Sequence, residues 1–220
     1  MEKVNCTKCN GIAVKNGFQG KKQRYKCKLC QKKFQLDFAY KAYSINTNNS
    51  ITTLLKEGCG IRSIARILSI SKNTVLSRII SIGQKLKAKP LLQKGCCYEM
   101  DEIWTFIGNK NNVTWITYAI ERKSKSIVGF VLGSKTKENI RSLVNELILS
   151  APKYIYTDGL NIYPELIPKA IHKRFQYCTN IIERNNLTLR THLKRLGRRT
   201  ICFSRSAMVL LSVLKIYFWI

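Results

Sequence analysis

Between Cys97 and Gly133 three stretches, "CYEMDEIWTFIG", "TWITYAIE" and "SIVGFVLG", follow one another with only short polar turns between them. Their β-branched and aromatic residues, punctuated by those turns, read as three consecutive antiparallel strands. "TKENIRSLVNELILS" then repeats its apolar residues at helical spacing, with Thr136 as N-cap. "KYIYTDG" is a short fourth strand ending at Asp158, "NIYPELIPKA" a short helix and "IHKRF" a fifth strand. "NIIERNNLTLRTHLKRL" and "SRSAMVLLSVLKIYFW" are further helices. Three antiparallel strands, a helix, and strands alternating with helices predict an α/β domain over residues 96–220, a mixed sheet with flanking helices.

Three acids of that domain stand out by their placement. Asp101 lies within the first strand, Asp158 at the end of the fourth, and Glu183 early in a later helix. If the first and fourth strands are neighbours, the two aspartates meet, and the helix carrying Glu183 has to cross over that point. Three clustered carboxylates raise one another's pKa unless a cation neutralises them. Mg²⁺, or Mn²⁺ in its place, is the hard cation that oxygen ligands suit. Two such ions about 4 Å apart activate an attacking hydroxyl and stabilise the leaving oxygen of a phosphodiester. At about 100° per residue, Leu187, Arg190 and Lys194 each lie within about 40° of Glu183 on one helix face, setting Arg190 and Lys194 as phosphate clamps beside a metal ligand. Each acid also has a plainer reading. Asp101 and Glu102 suit surface positions on opposite faces of a strand, Asp158-Gly159 suits a turn, and Asn180-x-x-Glu183 resembles a capping box. Taken together the plainer readings leave unexplained why acids are so scarce elsewhere.

The chain has 39 Lys and Arg against 12 Asp and Glu, a net charge of +27. The charge is unevenly spread: residues 1–90 hold 19 basic and 3 acidic residues, 91–170 hold 10 and 8, and 171–220 hold 10 and 1. A basic front and tail around a nearly neutral centre point to a polyanionic partner, since each neutralised phosphate releases condensed counterions. A nucleic acid is the expected partner, with membrane headgroups as one competing polyanion and ribosomal RNA as another. "MEKVNCTKCNG" has no apolar core of a signal peptide, and "SAMVLLSVLKIYFWI" is apolar for fifteen residues, interrupted by Lys215. That run is short of the roughly 20 residues a bilayer requires, so it reads as a buried or partner-facing helix. Nine cysteines without a secretion signal point to reduced thiols and metal in a cytoplasmic, nucleoid-associated protein.

Two modules precede the sheet. Cys6-x2-Cys9 and Cys27-x2-Cys30, seventeen residues apart, have the spacing of a four-thiolate Zn²⁺ site, a structural ribbon over residues 1–40. Cys59, Cys96, Cys97, Cys178 and Cys202 read as buried thiols. In "EGCGIRSIARILSISKNTVLSRIISIGQKL", Ile61, Ile64, Ala65 and Leu68 recur at helical spacing, and Val75, Leu76, Ile79 and Ile80 resume it after a short turn. Ser71 is a good N-cap for the second helix. This is the pattern of a helix-turn-helix over residues 41–95, with Lys72, Asn73, Thr74 and Ser77 toward the start of its recognition helix and "KLKAKPLLQKG" as a closing linker.

"EMDEIW", "TDGLNIY" and "IERNNLTLRTHLKRLGRRT" resemble the motifs of the insertion-sequence-one type transposases. The front of the chain is similar to that family's InsA half and the rest to its InsB half, here in one continuous frame. The resemblance implies an RNase H-like catalytic domain with an Asp-Asp-Glu triad. It carries the triad roles onto Asp101, Asp158 and Glu183, twenty-four residues separating the last two, and a basic role onto Arg190. It implies an enzyme that binds terminal inverted repeats in double-stranded DNA, cleaves the element ends and joins their 3′-hydroxyls to target DNA, usually as an oligomer. On that basis Lys72, Asn73, Thr74 and Ser77 read the repeat, while Lys194 and Arg195 hold phosphates. Two alternatives stay open: a DNA-binding regulator whose C-terminal domain is inactive, and another RNase H-like nuclease.

Overall fold

In the computed structural model, which describes residues 4–36, 41–86 and 94–220, the chain divides into two compact units, Met1–Thr47 and Asn48–Ile220. Parts of the expected linker and of the boundary near residue 40 lie outside the described residues. The first unit is an antiparallel sheet of four strands in the order β1 (Val4–Asn5), β2 (Ile12–Gln19), β3 (Lys22–Cys27) and β4 (Lys33–Gln35). Gly20, at φ +59°, turns β2 into β3 in a conformation that costs other residues strain. Its buried apolar cluster is Cys6, Ala13, Cys27 and Phe34, with Val4, Tyr25 and Cys30 packed against it. So small a core does not stabilise a unit of this size by itself.

The second unit opens with α1 (Thr47–Lys56), α2 (Ile61–Leu68) and α3 (Lys72–Lys85). Ser69 takes a left-handed backbone conformation at φ 53°, ending α2, and the Ser71 side chain accepts the Thr74 N–H at 3.0 Å to start α3. Ile51, Leu55, Ile64, Val75 and Ile79 are the buried residues of these three helices' apolar faces.

The large sheet contains β5 (Cys97–Phe106), β6 (Val113–Glu121), β7 (Ile127–Gly133), β8 (Tyr154–Tyr156) and β9 (His172–Lys173). Its order is β7-β6-β5-β8-β9. β5, β6 and β7 pair antiparallel, as their short turns require, whereas β5–β8 and β8–β9 are parallel. α4 (Lys137–Leu149) is the crossover between the two halves, capped by the Thr136 hydroxyl as its sequence suggests. α5 (Tyr163–Leu166) links β8 to β9, and α6 (Asn180–His192) and α7 (Ala207–Trp219) close the chain.

Residue alternation along β5 decides which side each helix covers. Tyr98 and Met100 join Ala119, Ile140, Leu143, Val144, Leu147, Ile155 and Tyr163 in a core beneath α4 and α5. α6 packs on β5 and α7 on β7 and α3. The apolar run ending the chain is therefore used inside this unit, with Leu210, Val213, Leu214 and Ile216 fully buried. α3 reaches α7 closely because position 83 is glycine: a Cβ there would lie 2.5 Å from the Ser212 Cβ. Among the described residues no helix is long and apolar enough to cross a membrane. Of the thiols expected to be buried, Cys178 is, while Cys59, Cys96 and Cys97 are half-buried. Cys202 is exposed, in the bend at residues 201–202.

Candidate active site

The register of the parallel pair sets the geometry. Its last partners are Glu99 and Tyr156, so Asp101 lies two residues further along β5 and Asp158 two residues past the end of β8, not within it. Oxygens of Asp101, Glu102 and Asp158 come within 4.8 Å of one another. Glu102 points to the opposite face from Asp101, yet both reach the group because β8 stops at Tyr156 and leaves that flank of β5 open. Asp101 Oδ1 accepts the Glu102 N–H at 2.7 Å and Oδ2 accepts Asn186 Nδ2 at 2.5 Å. Asp158 Oδ1 accepts the Leu160 N–H at 3.0 Å. The Glu102 side chain, 1% exposed, pairs with Lys135 Nζ at 3.0 Å and accepts the Tyr163 hydroxyl.

Burial pushes the Asp101 carboxyl up from 3.8 to about 6; the Glu102 N–H opposes the rise and the Glu102 and Asp158 charges add to it. Tyr163 is held well above its ordinary value, first by burial and then by Glu102. Three carboxylates so close are a donor set of hard oxygens, which suits a divalent cation such as Mg²⁺.

α6 is fastened to β5 by a residue that is not in that group. Glu99 is fully buried, and its Oε2 accepts the N–H of Ile182, in the first turn of α6, at 2.8 Å. Arg122 Nε stands 3.0 Å from Oε1, close enough for an ion pair but not aligned for a hydrogen bond, and its guanidinium lies over the Tyr156 ring. Burial raises the Glu99 pKa, against the pull of the Ile182 N–H and Arg122. One turn further along, Asn186 bonds Asp101, and Tyr118 donates to Asn186 Oδ1 at 2.6 Å.

Glu183 itself is exposed on α6 and accepts the Thr179 hydroxyl at 2.9 Å. Thr179, not Asn180, is the N-cap residue, so this contact links the carboxylate to a side chain rather than to a backbone amide. The group formed by Asp101, Glu102 and Asp158 does not include Glu183. Arg190 donates to the Leu196 carbonyl at 2.5 Å, and burial lowers its pKa. The helical alignment breaks at Lys194, because α6 ends at His192 and Lys194 begins a 3-10 turn. Arg195, expected on phosphate, turns its guanidinium to Ser204 Oγ at 2.8 Å.

At the front of the chain Cys6, Cys9, Cys27 and Cys30 bring four sulfurs together. Sγ–Sγ separations are 3.6 Å for Cys6–Cys30 and 3.5 Å for Cys9–Cys27. Zn–S bonds of about 2.3 Å in a tetrahedron set sulfurs about 3.8 Å apart, so the donor set fits Zn²⁺. The Lys8 N–H lowers the Cys6 thiol to about 6, and the Cys30 N–H lowers Cys27. On α3, Lys72, Asn73 and Ser77 are exposed and Thr74 is half-buried against the Ser71 cap.

A family model described as IS1 transposase matches residues 95–220, more than half of the chain. The chain belongs to the IS1 transposase family. The InsB protein of insertion element iso-IS1n from Shigella dysenteriae is 40% identical over 111 residues, 50% of this chain and 85% of that protein. The InsB protein of insertion element IS1 from Shigella flexneri is 38% identical over 112 residues, 50% of this chain and 84% of its own length. A chain of the simian T-cell lymphotropic virus intasome in complex with a PP2A regulatory subunit covers 74% of this chain and 66% of its own, at 13% identity and a TM-score of 0.41.

Two acids of this IS1 transposase family chain escape sequence reasoning. Glu102 reads as a surface carboxylate because strand alternation assigns it the face opposite Asp101, and only the early end of β8 brings it round. Glu99 shares parity with Asp101, a signal available in "YEMDE", but its role at the α6 terminus depends on a helix over eighty positions away.

Proposed function

We propose that this member of the IS1 transposase family is a Mg²⁺-dependent transposase in which Asp101, Asp158 and Glu183 hold the metal at an RNase H-like sheet. The supporting observation is the meeting of Asp101 and Asp158 through the parallel β5–β8 register. When bound, the metal neutralises the scissile phosphate and lowers the pKa of the attacking water or 3′-hydroxyl. Asp101 is oriented for that task by Asn186 and the Glu102 N–H, and Asp158 by the Leu160 N–H. Glu183 stands one turn before Asn186 on α6 and joins the aspartates by leaving the Thr179 hydroxyl, a movement its exposed position permits. Arg190 faces the groove beside Glu102, where it meets phosphate.

The reaction runs in two steps. Water attacks the phosphodiester at an element end and a 3′-hydroxyl leaves; that hydroxyl then attacks a target phosphodiester, releasing one target strand's 3′-oxygen. Each step breaks one phosphorus–oxygen bond as it forms another, so no external energy enters. The four-cysteine unit is a zinc ribbon, and α2 and α3 form a helix-turn-helix whose Lys72, Asn73, Thr74 and Ser77 contact the terminal repeat. Lys194 and Arg195 support the phosphate side of the groove, Arg195 through the loop it braces with Ser204. An oligomer brings two ends together.

The test is Asp158→Asn, which keeps the acceptor for the Leu160 N–H while removing charge. With duplexes carrying the element's own ends and Mg²⁺, cleavage and strand joining should fall at least a hundredfold while duplex affinity is unchanged. Cleavage at the wild-type rate would remove the carboxylate cluster from the mechanism.

A further inference from the structure

Beside the acid group lies a cavity of about 520 Å³ lined by Glu102, Trp104, Trp115, Arg190, Arg198 and Arg199. Carboxylate chemistry does not use its indoles. Trp104 and Trp115 are direct partners across β5 and β6, so they sit on one face of the sheet, the face that also carries Glu102. Both are half-buried. Trp104 packs on Phe106, and Phe106 on Phe203, at centroid distances of 5.6 and 5.3 Å. Lys135, the partner of Glu102, places its ammonium 4.7 Å from the Trp115 ring centre. The opposite wall is the segment after α6, tied down by Arg190 to the Leu196 carbonyl, by Arg195 to Ser204 and by the Gly108 N–H to the Ser204 carbonyl. Arg198 and Arg199 are exposed on that wall.

Fixed indoles facing guanidiniums select a ligand with both an aromatic ring and negative charge. The volume falls within the range of small-ligand pockets, about 300–1,000 Å³. A base inside a duplex cannot enter, because its faces are already covered by its neighbours; an unpaired one can, and stacking on aromatic side chains accepts any base. We propose that this cavity holds one unpaired nucleotide of the DNA strand next to the scissile phosphate, its base against Trp104 and Trp115 and its phosphate on Arg198 and Arg199. The proposal rests on the transposase reading for the identity of the polymer. It assigns the two tryptophans a task beyond packing: keeping the strand end open beside Asp101 and Asp158.

The experiment uses the full chain loaded with zinc and two short duplexes, one blunt and one with an unpaired DNA tail carrying 2-aminopurine. Binding should quench the tail fluorophore, and the tail should tighten binding about tenfold or more. Trp104→Leu with Trp115→Leu should abolish both effects and leave blunt-duplex affinity unchanged. Arg198→Gln with Arg199→Gln changes only exposed side chains, so it carries the test should the tryptophan variant misfold; it should reduce the tail's gain several-fold. The proposal is overturned if wild-type protein binds tailed and blunt duplexes alike, if quenching and gain persist in a folded tryptophan variant, or if the arginine variant keeps the full gain. A tail of RNA bound more tightly than the same tail of DNA would also overturn it, in favour of an RNA site. Asp158→Asn should keep the fluorescence response, so failure of the cleavage chemistry and failure of this subsite are read separately.

Discussion

Replacing Asp101 by Asn should make the metal-free protein more stable. Asp101 shares its site with Glu102 and Asp158, and its carboxyl is raised from 3.8 to about 6, chiefly by burial. The folded state therefore holds this proton more tightly than the unfolded chain. The resulting stabilisation is complete below pH 3.8 and is lost as pH rises through about 6. Above that pH the ionised side chain costs folding at most about 3 kcal/mol, at 1.36 kcal/mol per pKa unit. Residual exposure to solvent brings the expected figure down to roughly 1–3 kcal/mol. The introduced amide keeps an acceptor for the Glu102 N–H, and Asn186 can turn its own amide because Tyr118 has a second acceptor in the Ile182 carbonyl at 3.2 Å. Urea melts with EDTA should show the variant and wild type nearly alike at pH 4 and the variant more stable by that margin at pH 7.5. Adding Mg²⁺ at pH 7.5 should raise wild-type stability and narrow the gap, since a ligand that binds only the folded state stabilises it by mass action. A variant less stable than wild type at pH 7.5 without metal, or a gap that does not depend on pH, refutes the view that burial, with the Glu102 and Asp158 charges beside it, makes the ionised Asp101 a cost to folding.

Glu99→Ala leaves the Ile182 N–H and the Arg122 guanidinium without their buried partner, which should destabilise the large unit by about 3–5 kcal/mol in denaturant melts. Glu99→Gln, which retains an acceptor, should lose clearly less. Gly83→Ala sets a helix-propensity gain of about 1 kcal/mol against overpacking of about 1–3 kcal/mol, because the new Cβ would meet Ser212 at 2.5 Å; thermal melts should show net loss, and a gain would mean α3 and α7 are not held that closely. Stripping the proposed Zn²⁺ with a chelator, or Cys27→Ser, should collapse amide-exchange protection in β1–β4 while protection in β5 and β6 survives.

Much of the fold was legible because local patterns and tertiary needs agree. Period-2 runs with short turns could pair only as an antiparallel meander, and the Ser71 and Thr136 caps mark helix starts by chemistry that acts within three residues. Charge distribution and the spacing of four cysteines are likewise properties of the chain alone. Convergence is not. Asp101 and Asp158 meet only because β5 and β8 pair in parallel with Glu99 opposite Tyr156. Glu102 joins them because a strand ends early, and Glu99 is buried because the start of a distant helix supplies the N–H it needs. The end of α6 at His192 also moves Lys194 off the face that periodicity assigns it. Sequence determined the elements and the supply of charge, through interactions a few residues long. The tertiary structure decided which carboxylates share a site, since register, strand ends and helix docking are set by packing across the whole sheet.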